Sequence, residues 1–102
     1  MINCEVINNP TEGTLKILSR RIIDRDVRER LGSERIESVA LIQGRVSRII
    51  ALADEAEKTA DVTAAEVTGA CPQHLTVIAL IGSLSAVHTV VERIEEENRN
   101  TI

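Results

Sequence analysis

Seven consecutive residues constrain the fold more than any other stretch: Leu75-Thr76-Val77-Ile78-Ala79-Leu80-Ile81 carries a single polar side chain. A strand that is apolar at both parities belongs in the middle of a sheet with both faces covered. A second run, over 61–68, also reads as a strand, and Gly69-Ala70-Cys71-Pro72-Gln73-His74 joins the two. A tight hairpin needs only two residues at such a place, often Asn-Gly or Gly-Gly. Six residues, with a thiol and a proline of fixed φ, make a wider loop able to present side chains.

The other elements follow in chain order. Residues 2–7 read as a short strand with Ile2, Cys4 and Val6 on one face, ended by Asn8-Asn9-Pro10. Thr11 is placed to cap a helix that has Glu12 in its first turn. Leu15, Leu18, Ile22 and Ile23, then Val27 and Leu31, recur at helical spacing, with a joint expected near Asp24 and closure at Gly32-Ser33. A strand spans 36–43, Gly44 turns the chain, and 45–60 is an amphipathic helix through Val46, Ile49, Ile50, Ala53, Ala56 and Ala60. Gly82-Ser83 leads into a last helix with Val87, Val90, Val91 and Ile94 inward. Its end, Glu95-Glu96-Glu97-Asn98, is expected to fray into solvent. The order β-α-(α)-β-α-β-β-α gives an α/β class, an α+β sandwich: a ferredoxin-like split βαβ sheet with helices on one face. The strand that the core over 36–98 lacks stands at the front.

Composition narrows the function classes. The chain reads as one domain of 102 residues without a single Phe, Tyr or Trp. Its core must be Ile, Val, Leu and Ala, and it has no ring to stack on a base. A net charge of −4 supplies no phosphate-neutralising face, which argues against nucleic acid. Arg20, Arg21, Arg25, Arg28 and Arg30 are interleaved with Asp24, Asp26 and Glu29, as on an ion-paired, solvated helix face. No run reaches the length of a membrane span, and no signal peptide follows Met1. Two cysteines make no secreted disulfide framework, so the chain reads as cytoplasmic.

Three pieces carry a resemblance to a known family: the strand Val39-Ala40-Leu41-Ile42, the helix from Ala51 to Val62 (ALADEAEKTADV), and the strand 75–81 with Gly82-Ser83-Leu84-Ser85-Ala86-Val87. Over 38–94 the chain resembles the shell-protein domain of bacterial microcompartments. In the family's usual order a further strand, a Val-Ile-Pro-Arg-Pro-like turn and a short helix follow. Here Val6-Ile7-Asn8-Asn9-Pro10 and 15–21 look like that piece moved to the front, so the chain resembles a circular permutant. The family's turn arginine is absent, and Asn9 stands there. Only Met1–Asn3 precedes the matched strand, so the small β-barrel some permuted members build over the pore is not expected.

The resemblance implies a non-enzymatic, flat homohexamer that joins other shell proteins, its central pore lined by Gly69, Ala70, Cys71, Pro72, Gln73 and His74. It places Lys58 and Asn9 at the edge between hexamers. Cys-Pro at the pore is similar to the shell protein of glycyl-radical propanediol microcompartments, a type that binds an iron–sulfur cluster there. Six-fold symmetry would gather six copies of Cys71 on one axis, and three alternate subunits could offer three thiolates to a [4Fe-4S] cluster. His74 or another group could supply a fourth ligand, and Pro72 stiffens the loop. Cys4, alternating with Ile2 and Val6, reads as a small buried hydrophobe, and His88 as a structural or surface histidine. Lys58 is equally suited to completing a helix C-terminus. The competing functions are a metabolite pore without a cluster, a ferredoxin-like effector-binding module, and a thiol enzyme using Cys71 and His74. The last lacks an orienting acid.

Overall fold

A computed structural model of the chain describes residues 2–69 and 74–100. Four antiparallel strands form one sheet in the order β1-β2-β4-β3: β1 (Asn3–Asn8), β2 (Ser38–Arg45), β3 (Val62–Val67) and β4 (Leu75–Gly82). The long apolar strand is central, as its composition requires. β4 pairs with β2 from Ser38↔Gly82 to Arg45↔Leu75 and with β3 from Val62↔Gly82 to Val67↔Val77. β1 takes the outer place beside β2, Asn3 opposite Gln43 and Asn8 opposite Ser38. This is the ferredoxin-like split βαβ arrangement with its fourth strand supplied from the front of the chain.

Helices cover both faces, not one. α3 (Val46–Thr59) and α4 (Leu84–Asn100) pack with Ala40, Ile42, Ile78 and Leu80. The opposite parity of the same strands, Val39, Ala79 and Ile81, packs with Leu18, Ile22, Val27 and Leu31 from α1 (Glu12–Arg21) and α2 (Arg25–Ser33). Central strands apolar at both parities need two roofs, and the front of the chain provides the second. The burial is confined to residues 78–81; Leu75 at the start of β4 remains exposed.

Local signals explain most boundaries. Thr11 accepts the Thr14 amide at 3.2 Å and caps α1; Asp24 accepts the Val27 amide at 3.1 Å and caps α2. Between those helices Ile22 is not helical: it bridges to Val67 and is buried, whereas Ile23 points to solvent. The arginine-rich stretch pairs within its helices, as Arg25–Glu29 and Arg30–Glu34. Gly44 is not the turn before α3. It lies inside β2 opposite Thr76, where a Cβ would sit 3.1 Å from Ile49 Cδ1, so glycine lets α3 lie close on the strand.

The acidic end of the last helix does not fray, and α4 continues to Asn100. Arg48 of α3 donates from Nε to Glu97 at 3.0 Å and makes a second bond to the same carboxylate, while its Nη1 reaches Glu55 at 2.7 Å. Asn98 is bonded in both directions to the start of β1, accepting from the Ile2 amide at 3.0 Å and donating to the Ile2 carbonyl at 2.8 Å. A bidentate ion pair and an amide clamp thus tie the last turns of α4 to α3 and to the entry of β1.

Candidate functional site: the loop end of the sheet

The end of β3, the start of β4 and the start of α3 meet at one end of the sheet, and the 69–74 loop leaves from there. Its entry is held by the carboxyl end of α1. The Thr68 amide and hydroxyl both donate to the Arg21 carbonyl, at 2.6 and 2.9 Å, beside the Ile22–Val67 bridge. Gly69 lies against the Arg21 side chain, where a Cβ would come within 3.2 Å of the guanidinium. The exit is fixed by α3. No side chain caps that helix; the Val46 amide donates to the His74 carbonyl at 3.0 Å.

His74 has φ +83°, a left-handed backbone that a non-glycine residue adopts only when its surroundings hold it there. Its side chain is exposed and borders an open surface lined by Arg45, Val46, Ser47 and Ile50. Gly69 and His74 thus mark the two ends of the loop, one against α1 and the other against α3. Ala70, Cys71, Pro72 and Gln73 lie outside the described residues.

The second cysteine does not belong to this site. Cys4 on β1 is half-buried against the α3/α4 core, and burial pushes its thiol pKa up, with Glu95 and Glu5 adding to the shift. Such a thiol is kept protonated and is a poor metal ligand. His88 is on the exposed side of α4, 2.9 Å from Glu92. Among the described residues no group of three or more His, Cys, Asp or Glu could hold a metal ion.

Lys58 and Asn9 are at the opposite end of the sheet. Lys58 closes α3 just before β3 begins and pairs with Asp54 at 2.6 Å, a hydrogen bond that raises its pKa. Asn9 follows β1 with φ +51°, a value asparagine tolerates, and its amide donates to the Glu37 carbonyl at 2.7 Å. Sequence reasoning missed the part of Arg21 and Thr68 in anchoring the loop. Arg21 read as one arginine in a charged helix, and the bond uses its carbonyl, which no side-chain pattern reports.

The sheet order, the split βαβ core and the loop with clamped ends define a class: ferredoxin-like α/β domains whose fourth strand comes from the front of the chain. A family model for the BMC domain matches residues 38–101, from β2 through α4. The ligand-free structure of the GrpU microcompartment shell protein from Pectobacterium wasabiae is 32% identical, with a TM-score of 0.72, covering 91% of this chain and 99% of that one. No curated protein matches. The chain belongs to the BMC-domain family of bacterial microcompartment shell proteins. The family model starts at β2, and the strand before it fills the remaining edge of the sheet, as a permuted order demands. Among the described residues no helix is long and apolar enough to cross a membrane.

Proposed function

We propose that the chain is a hexameric, non-enzymatic subunit of a microcompartment shell whose pore loop, residues 69–74, holds an iron–sulfur cluster through Cys71. The observation that carries this reading is the anchoring of both loop ends, Thr68–Gly69 on α1 and His74 on α3. In the sequence Cys71 stands between these two anchors. With Cys4 half-buried against the core and its thiol pKa raised, each chain would contribute Cys71 alone. Several copies must then converge, with Cys71 of alternate subunits as ligands and His74 near enough in sequence to complete the set. Bound there, the cluster supplies one-electron transfer across the shell, or is itself the cargo delivered. Pro72 stiffens the loop, and the exposed Lys58 and Asn9 at the far end are the edge through which one ring meets other shell proteins.

Anaerobic reconstitution tests the proposal. Cys71→Ser is expected to abolish uptake of iron and acid-labile sulfide, and the visible absorption, while leaving the size-exclusion profile unchanged. Cys4→Ser should retain full uptake. A Cys71→Ser ring with undiminished iron and sulfide would end the cluster reading and leave a plain metabolite pore.

A further inference from the structure

Between α1 and the strands it roofs, a groove of about 330 Å³ stays open. That is the lower end of the volumes that hold small molecules. Leu15 and Ile17 of α1 line it, with Ile7, Leu41 and Val77 from β1, β2 and β4. Ile17 is 63% exposed there. Arg21, the last residue of α1, is the single charged residue in the lining. Arg25, Arg30 and Arg48 each face a carboxylate. Arg21 does not: among the described residues its guanidinium forms no ion pair and reaches the Thr68 carbonyl at a long 3.5 Å. Ile17 and Arg21 are one turn apart on α1, so the cation and the apolar wall share one helix face.

We propose that this groove binds a small aliphatic carboxylate, its chain against the apolar walls and its head on the Arg21 guanidinium. The lining selects both halves of such a molecule. A neutral aliphatic molecule would leave the guanidinium without a counter-charge, and a bare inorganic anion would leave the walls wet. A carboxylate suits the planar fork of arginine, which offers it two parallel N–H donors. The lining contains no acid, thiol or imidazole, so the ligand is held there and not transformed. The site lies beside the loop entry, because the Arg21 carbonyl receives the Thr68 amide and hydroxyl. That anchor is backbone, so the side chain of Arg21 is left to serve the ligand. The inference is independent of the cluster reading, since Cys71 takes no part in it.

Isothermal titration of the full chain, in whatever association state it adopts, tests the site with hexanoate, octanoate and octanol as probes. Octanoate is expected to bind more tightly than octanol. Each methylene laid on the walls tightens binding by up to about fourfold, so hexanoate should bind several-fold more weakly than octanoate. Arg21→Gln should cost octanoate about tenfold in affinity, the loss of a charge-assisted contact, and leave octanol unchanged. Ile17→Glu, at an exposed position, gives Arg21 a carboxylate of its own one turn away and should weaken octanoate in the same way. The far-ultraviolet circular dichroism of both variants should match that of the parent. Equal affinity for octanoate and octanol, no dependence on chain length, or undiminished octanoate binding by either variant would overturn the site. So would the absence of heat with all three probes, which would leave the groove to a protein partner.

Discussion

On the α3/α4 side of the sheet, Ile42, Ile49, Leu80, Val87 and Ile94 are all shut away from water. On the α1/α2 side, Ile22, Val39 and Ile81 are as deep, yet Leu15, Leu41 and Val67 are only partly covered and Ile17 and Ile23 stand in solvent. Both faces are apolar, so the difference lies in the roofs. At 1.5 Å per residue, α3 and α4 (14 and 17 residues) are about 21 and 26 Å long, close to the ~27 Å of an eight-residue strand. α1 and α2, of 10 and 9 residues, reach only about 15 Å each. The long helices shut these five side chains away, and the short ones leave the groove beside α1 open.

Equal truncations on the two faces break this comparison most directly. Ile49→Ala should cost about 3 kcal/mol, because Ile49 is fully buried on the inner face of α3 and its truncation leaves a cavity. Ile17→Ala should change the single chain by less than about 0.5 kcal/mol. Urea denaturation of the two variants beside the parent chain measures both. Similar costs would mean that the two faces are equally closed.

A smaller effect is expected where the long helices are tied. The Arg48 guanidinium holds the Glu97 carboxyl below the usual carboxylate range. A lowered folded-state pKa contributes stability above the unfolded value of about 4.3, and that contribution is lost as pH falls through the folded value. Glu97→Gln should thus cost about 1 kcal/mol at pH 7, a modest figure because the pair is partly solvated. The gap between wild type and variant should narrow as pH falls below about 4. A gap that keeps its size at the lower pH would assign the loss to something other than the ion pair.

The smallest change to the fold is expected at the far end of the sheet. Lys58→Asp should leave the denaturation midpoint and the ring unmoved, since Lys58 is exposed and pairs only within its own helix at Asp54. It should reduce the growth of flat sheets seen by electron microscopy. Joint loss of rings and sheets would place Lys58 inside the ring instead of at its rim.

What the sequence made legible was whatever local chemistry records. The central strand, the Thr11 cap, the joint near Asp24, the amphipathic α3 and the order of elements are all written in short-range patterns. The features that escaped it depend on partners far along the chain. Glu97 looked like one more acid in a solvated run, and Arg48, 49 residues earlier, makes it a clamp. The second layer of helices was misplaced because an amphipathic stripe does not say which face of the sheet it will meet. For the loop, its position between β3 and β4 was readable. The left-handed His74 and the Arg21 carbonyl anchor were not, since both are backbone facts.

The Asn98 clamp on Ile2 bears on how such a chain could have been rewired. Positions 96 residues apart lie within hydrogen-bond reach, so the path of the backbone is nearly a closed circuit. In a closed circuit the sheet is indifferent to where the string is cut. A short splice from the last turn of α4 to β1, with a nick at an exposed turn elsewhere, would preserve every strand pairing and both layers of helices. Gene rearrangement could then move a strand and its helix from one end of the reading frame to the other at little thermodynamic penalty, because what the fold conserves is adjacency in space, not order along the chain.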